Sequence, residues 1–311
     1  MTDTDDRFSD LPDHADIAGY EPRFVDVDGI RTRYYDLGSG EPLVLVHGGD
    51  WSGKSSANTW STNFEGLADR FRVIAFDRVG CGMTDNPETV DDYRYRTDFT
   101  HALSVLDTLG IDRCHIAGIS RGGGLALRMA VEDPDRFETL VVVNSATFGP
   151  PSGDEDFRRD RVFDQSAPDV EPTDPEATRQ FLYQYCYQTD HITDEYCRLC
   201  AYMRSLPKAQ ETAEIMQEQG RLDHWKETMR EQMTETYRRI GDGVLTVPVL
   251  YTYGRNDLTV PIEMVTAAYD MLAQENPDVR LTVFNESGHL VYREHPEEWN
   301  RTVIDFIDYW G

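Results

Sequence analysis

The pentapeptide Gly118-Ile119-Ser120-Arg121-Gly122 constrains this chain more than any other stretch. It follows the apolar residues Cys114-His115-Ile116-Ala117 and opens a segment with helical patterning. In that setting a strand turns directly into a helix through one strained residue, and a serine at the turn carries its hydroxyl in the open. Glycines on both sides suit a place where backbones pass too close for a Cβ. Ser120 is thereby expected at the carboxyl edge of a sheet.

Other apolar runs supply that sheet. Two β-type stretches, Arg23–Val27 and Arg31–Asp36, flank the turn Asp28-Gly29. The run Pro42–Val46 ends in His47-Gly48-Gly49, and Val73–Phe76 ends in Asp77. Leu140–Val143, Val247–Tyr251 and Leu281–Phe284 follow later. Helical patterns are read over Asp98–Leu109, Arg121–Glu132, Ile262–Gln274 and Glu297–Tyr309. Continuous apolar runs between helices predict an α/β fold, a mostly parallel, doubly wound sheet covered on both faces. Composition changes near Pro150-Pro151 and again near Gly241-Asp242-Gly243, and the span between reads as helical. The expected organisation is a polar, loosely attached arm over 1–22, a core of 23–149 and 244–311, and a helical cap over 150–243 inserted after the sixth strand.

Charge is the second strong signal. The 311 residues carry 57 Asp and Glu against 30 Lys and Arg, a net of −27, and the lysines are Lys54, Lys208 and Lys226 alone. Such self-repulsion opposes a compact state in dilute buffer. In molar salt the Debye length falls to about 3 Å and the repulsion is screened. The balance predicts a protein of a salt-rich cytoplasm, with an acidic protein from a GC-rich genome as the plainer reading. It argues against a nucleic-acid partner, since no basic face is visible. The acidic start is unlike a signal peptide, no run reaches membrane-span length, and five cysteines do not suggest a disulfide framework. A cytoplasmic chain with no membrane partner is expected, and a homodimer is left open.

Downstream of Ser120 lie Gly254-Arg255-Asn256-Asp257 and Ser287-Gly288-His289, each after an apolar run. Alone, these residues read equally as a turn serine, a helix-capping Asp and a surface His. In the order Ser, Asp, His at strand ends they form a triad: His289 takes the Ser120 proton, and Asp257 fixes the imidazole tautomer and stabilises the imidazolium. An oxyanion would need two N–H donors, assigned to Arg121 and Gly49, with Asp50 as the second choice after Gly49. His47 is expected to brace that loop. Asp77 and Asp85 are read as fixing the turn Phe76–Asp85. In the cap, Cys186, His191, Cys197 and Cys200 could hold zinc, but their spacing fits no finger pattern and buried helical cysteines are the preferred reading. Phe181, Tyr183, Tyr185 and Tyr187 either line a pocket or pack the lid. Substrate contacts are assigned to Asp50, Ile119, Leu290 and Tyr185.

From Pro42 to Trp310 the chain resembles the α/β-hydrolase superfamily, and parts resemble the meta-cleavage-product hydrolases that cut C–C bonds. The residues carrying the closer likeness are Thr178-Arg179-Gln180-Phe181-Leu182 through His191-Ile192-Thr193-Asp194-Glu195, and Ser287-Gly288-His289 with Glu294-His295-Pro296-Glu297-Glu298-Trp299-Asn300-Arg301. The resemblance implies triad roles for Ser120, Asp257 and His289 and no metal or organic cofactor. This chain departs from that family's pattern at the loop Gly49-Asp50-Trp51-Ser52-Gly53, at Ile119 where asparagine is usual, and at Leu290 where tryptophan is usual. No lid arginine aligns with the one that grips the dienoate carboxylate; Arg78, Arg121, Arg198 and Arg204 are the candidates. The departures favour a small-molecule ester or lactone, cleaved through an acyl-Ser120 intermediate, over C–C cleavage of a vinylogous diketone. A module that binds small molecules without turnover is the alternative from another class.

Overall fold

The computed structural model describes residues 8–12, 14–49, 55–147 and 171–310. Eight strands form one sheet: β1 (Arg23–Val27), β2 (Ile30–Gly38), β3 (Pro42–Val46), β4 (Arg72–Phe76), β5 (Cys114–Ile119), β6 (Phe137–Val143), β7 (Val249–Gly254) and β8 (Val279–Phe284). Their order across the sheet is β1-β2-β4-β3-β5-β6-β7-β8. β1 and β2 are antiparallel to each other, β2 runs antiparallel to β4, and every other pair is parallel. The sheet is mixed but mostly parallel, as the apolar runs predict.

Both faces are covered, which is why the inner strands read as unbroken apolar runs rather than alternating ones. Alternate residues divide between two cores. Val44, Val46, Ile74 and Phe76 join a cluster with Val105, Leu125, Trp225 and Ala268. Leu43, Leu45, Val73 and Ala75 join one with Leu67, Trp299, Phe306 and Tyr196. The helices on these faces are α1 (Phe64–Ala68), α2 (Tyr95–Thr108) and α3 (Arg121–Glu132) from the first half of the chain.

Between β6 and β7 the described residues form helices and no strand. These are α4 (Pro175–Tyr185), α5 (Asp194–Ser205), α6 (Pro207–Gln217) and α7 (Arg221–Gly241). Their starts follow from local chemistry. Asp174 caps α4 by accepting from Glu176 N–H at 2.8 Å, ahead of Pro175 at the first helical position. Thr193 caps α5 by accepting from Tyr196 N–H at 3.1 Å, with Asp194 and Glu195 in the first turn. The rest of the expected cap, 150–170, lies outside the described residues. After β7 come α8 (Ile262–Glu275), the single turn α9 (Val291–Glu294) and α10 (Pro296–Trp310).

The N-terminal segment differs from the loose arm expected of so acidic a stretch. Phe8, Ala15 and Ile17 are buried. Ala15 O accepts from Arg33 Nη2 (2.7 Å) and from Asn58 Nδ2 (3.1 Å), on the core. Ala18 N–H donates to Glu195 Oε1 on α5 at 3.0 Å, Asp10 pairs with Arg198 of α5, and the Phe8 ring packs against Tyr202. Widely spaced apolar residues and backbone carbonyls, not net charge, attach this segment to both core and cap.

Candidate active site

β5 passes into α3 through Ser120, whose backbone lies at φ +54° and ψ −124°, a strained conformation for a residue with a Cβ. Its neighbours hold it there. Ser120 N–H donates to Val143 O at 2.9 Å, and Ser120 O accepts from Gly123 N–H (2.9 Å) and Ser145 Oγ (2.5 Å). A Cβ on Gly118 would lie 2.2 Å from Gly122 O, and one on Gly122 would lie 2.4 Å from His47 O. Both glycines of the motif are required by close approach.

Parallel register brings the other two residues to the same edge. Ile119 is level with Val143 on β6, and Val143 with Thr252 on β7. Asp257 follows β7, and His289 follows β8. His289 Nδ1–H donates to Asp257 Oδ2 at 2.7 Å, so the ring's lone pair is on Nε2. Asp257 Oδ1 accepts from Thr259 N–H (2.7 Å), Thr259 Oγ1 (2.7 Å) and Val260 N–H (3.2 Å). Burial pushes the Asp257 carboxyl up, but the charge and hydrogen bond of His289 and the Thr259 bonds outweigh it and hold it below the ordinary carboxylate value. The Asp257–His289 contact is made. A hydrogen bond from Ser120 Oγ to His289 is not among the contacts of the described residues, and such bonds often tighten only with substrate present.

The loop that would hold an oxyanion is fixed from behind. A Cβ on Gly48 would meet Ile119 O at 2.9 Å and the Ser120 Cβ at 3.0 Å, so this loop lies against Ser120. Gly48 O accepts from His47 Nδ1 (2.8 Å) and Arg78 Nη1 (3.2 Å), and Gly49 O accepts from Arg78 Nη1 (3.0 Å). A peptide is planar, so fixing the Gly48 carbonyl aims the Gly49 N–H the opposite way. His47 Nε2 accepts from Arg78 N–H at 2.9 Å. Burial first, and then the Arg78 charge, push His47 down to about 4, so it stays neutral and braces the loop. The other donor assigned from sequence, Arg121 N–H, stands at the first position of α3, directly after Ser120.

Arg78 was readable only as part of a turn or as a captor of substrate carboxylate, and the structure gives it another place. It is buried, and its Nε (3.3 Å) and Nη2 (3.0 Å) donate to Asp98 Oδ1 on α2. Trp225 Nε1–H of cap helix α7 donates to Asp98 Oδ2 at 3.0 Å. Arg198 is likewise engaged, with Asp10. The Arg121 guanidinium lies 5.1 Å over the Trp225 ring.

Of the assigned substrate contacts, Tyr185 ends α4 with its ring 5.7 Å from the His289 ring, and its carbonyl accepts His289 N–H at 2.7 Å. Ile119 and Leu290 are buried in one apolar cluster. Asp50 lies outside the described residues. Glu294, which the sequence offered only as part of a family likeness, clamps the His289 loop: its carboxylate accepts from Gly288 N–H (3.0 Å), Leu290 N–H (3.3 Å), Tyr187 N–H (2.8 Å) and Gln188 N–H (2.9 Å). Of the cap's thiols and imidazole, Cys186 and His191 come together with Glu294, their ligand atoms within 4.8 Å of one another. Cys197 and Cys200 are buried on α5. The trio fits a metal poorly, because Glu294 is saturated by backbone donors and Arg293 Nε already donates to His191 Nδ1 at 3.3 Å.

A family model described as alpha/beta hydrolase fold matches residues 41–296. The chain is 31% identical over 283 residues to a 2-hydroxymuconate semialdehyde hydrolase of Pseudomonas putida, covering 90% of this chain and 91% of that protein. It is 29% identical over 287 residues to a 2-hydroxy-6-oxo-2,4-heptadienoate hydrolase of Pseudomonas putida strain F1, covering 92% and 95%. The solved structure of a meta-cleavage product hydrolase (CumD) from Pseudomonas fluorescens IP01 superposes with a TM-score of 0.70 at 25% identity, covering 93% and 98%.

Proposed function

This chain belongs to the α/β-hydrolase fold family, and from that premise we propose that it cleaves a bond to a carbonyl carbon through an acyl-Ser120 intermediate. The observation that carries this is the 2.7 Å Asp257–His289 hydrogen bond at the sheet edge where Ser120 occupies its strained turn. His289 Nε2 takes the Ser120 proton as Oγ attacks. The oxyanion is held by the N–H groups of Gly49 and Arg121. The leaving group departs with its electron pair and a proton, and water activated by His289 then frees the acid.

The substrate class we infer is a vinylogous diketone, cleaved at its C–C bond. Supporting this are relatives named as a 2-hydroxy-6-oxo-2,4-heptadienoate hydrolase and a 2-hydroxymuconate semialdehyde hydrolase, matched over nine-tenths of both chains. The leaving carbon would depart as a dienol, whose conjugation makes a carbon leaving group accessible to the same serine machinery. Arg121, adjoining the nucleophile, is the cation nearest in sequence to where a substrate carboxylate would bind. A second reading, hydrolysis of a carboxylic ester or lactone, is favoured by one specific observation. Ile119 and Leu290, which flank Ser120 and His289 in sequence, are both apolar and buried, so their side chains have no hydrogen bond to offer a ketone or carboxylate. We further infer, from the net charge of −27, that the enzyme works in concentrated salt.

Turnover by wild type and Ser120→Ala, in molar KCl, separates these readings. The substrates are a 2-hydroxy-6-oxo-dienoate and p-nitrophenyl esters of rising chain length. Loss of dienoate absorbance by wild type alone supports C–C cleavage. Fast ester turnover with an inert dienoate replaces it with the esterase reading. Activity that survives in Ser120→Ala overturns both.

A further inference from the structure

We propose that Asn144, a residue with no part in the sequence motifs, is the positioning residue of the acid–base pair. The inference rests on the triad proposed above. Asn144 directly follows β6, between the strand that carries Ser120 and the strand that leads to Asp257. It is wholly buried and held at φ +40°, a left-handed conformation that asparagine tolerates better than most residues with a Cβ.

Every hydrogen-bonding group of its side-chain amide has a polar partner. Oδ1 accepts from Gly254 N–H at 2.9 Å. Nδ2 donates to Asp257 Oδ2 at 2.8 Å and to Gly288 O at 2.9 Å. The backbone N–H donates to Thr252 O at 3.1 Å. One small residue therefore joins the end of β7, the catalytic acid and the peptide that enters His289.

Two consequences follow from that geometry. Gly288 O and His289 N–H belong to one planar peptide. Asn144 holds its carbonyl, and Tyr185 O of the cap holds its N–H at 2.7 Å. The backbone at the base is thus fixed from both sides. Asn144 also shares Asp257 Oδ2 with His289 Nδ1–H. The carboxylate cannot rotate away, and its charge on that oxygen is divided between two donors. A neutral amide is required, since an aspartate at 144 would set a second carboxylate against Asp257 Oδ2 and against Gly288 O.

Removing the amide loosens the pair and returns the whole Oδ2 charge to the imidazolium. Asn144→Gly suits the test, because glycine adopts φ +40° without strain. The readout is the pH dependence of Ser120 labelling by a fluorophosphonate, which reports an activated serine without knowledge of the substrate. The expected result is labelling slowed about tenfold or more, with the acid limb moved to higher pH and the melting profile still cooperative. Asn144→Asp keeps the acceptor for Gly254, loses both donors and should move the acid limb further the same way. It decides on the same readings if the glycine variant does not fold. A folded variant with wild-type rate and limb overturns the inference. Slower labelling with an unmoved limb also overturns it, by reducing Asn144 to a structural residue. If wild type is not labelled, or Ser120→Ala still is, the triad itself falls; wild-type labelling that Ser120→Ala abolishes keeps that outcome distinct.

Discussion

Arg78→Lys isolates what the buried guanidinium does for the Gly48–Gly49 loop, proposed above to hold the oxyanion. Arginine divides its work: Nη1 holds the Gly48 and Gly49 carbonyls at 3.2 and 3.0 Å, while Nε and Nη2 hold Asp98 Oδ1 at 3.3 and 3.0 Å. Lysine keeps the charge but has one nitrogen at one point in space. It will stay with Asp98, because abandoning a buried carboxylate costs about 3–5 kcal/mol. The Gly49 carbonyl then loses its Arg78 donor, and Gly48 O retains the His47 Nδ1 bond at 2.8 Å. Complete loss of one oxyanion donor lowers kcat by about 10²–10³. Since His47 still steers the Gly48–Gly49 peptide, the expected loss is smaller, about ten- to a hundredfold, or about 1.4–2.7 kcal/mol of transition-state stabilisation. KM should change little, because the interaction strengthens only as the oxyanion forms. Two weakened hydrogen bonds to buried carbonyls should also cost stability of about 2 kcal/mol. Steady-state kinetics on whichever substrate the enzyme turns over, with a thermal melt on the same preparation, reads both quantities. A variant that melts early yet keeps kcat within about twofold would refute the reasoning. The loop would then be aimed by something other than its braced carbonyls.

Three further outcomes can be checked. Burial leads the causes that push His47 and His101 down to about 4 and His191 to about 3, while unfolded histidine titrates near about 6.5. The unfolded chain therefore takes up protons first, so stability is fully present above about pH 6.5 and is lost as pH falls toward 4. The loss by pH 5 is about 2 kcal/mol per histidine, and a melting temperature that stays flat from pH 8 to pH 5 would contradict it. Glu294→Gln replaces one carboxylate oxygen by an NH2, which sets a donor against either the Gly288 and Leu290 N–H groups or the Tyr187 and Gln188 N–H groups. It should destabilise by about 2–3 kcal/mol and slow turnover, as melts and kcat measured side by side will show; an unchanged kcat would mean the His289 loop does not need this clamp. The net charge of −27 should make the melting temperature climb as KCl rises from about 0.1 M to about 1 M, over which the Debye length falls from about 10 to about 3 Å. A salt-independent melt removes the case for salt adaptation.

What the sequence disclosed is what depends on neighbours along the chain. β3 and α3 begin and end where the apolar run and the Gly-x-Ser-x-Gly unit place them, because a strand buried on both faces leaves a continuous record of itself. β1, at the sheet edge, is marked instead by the turn Asp28-Gly29 that follows it. The residues that remained hidden act across the chain. Asn144 reaches Asp257, 113 positions away, and Glu294 reaches Tyr187, 107 positions away. A single asparagine at a strand end or a carboxylate in a helical turn has no periodicity to betray such a partner.

Arg33 shows the same limit in the core. On β2, beside Arg31, nothing in the sequence sets it apart, yet it is completely buried. Its guanidinium meets Asp77 Oδ2 at 3.1 Å, Asn58 Oδ1 at 2.7 Å, and the His14 and Ala15 carbonyls at 3.0 and 2.7 Å. Asp77 in turn accepts Ala57 N–H at 2.7 Å and Met83 N–H at 2.8 Å. Asp77 therefore does for Arg33 what Asp98 does for Arg78, and the carbonyls of the N-terminal segment close the shell around the buried cation. An unpaired charge cannot be buried at tolerable cost, so these two paired arginines are the residues around which these loops are built. Whether an arginine in this chain faces water is decided by the carbonyls and carboxylates that distant segments bring to it, and hydropathy along the chain carries no trace of them.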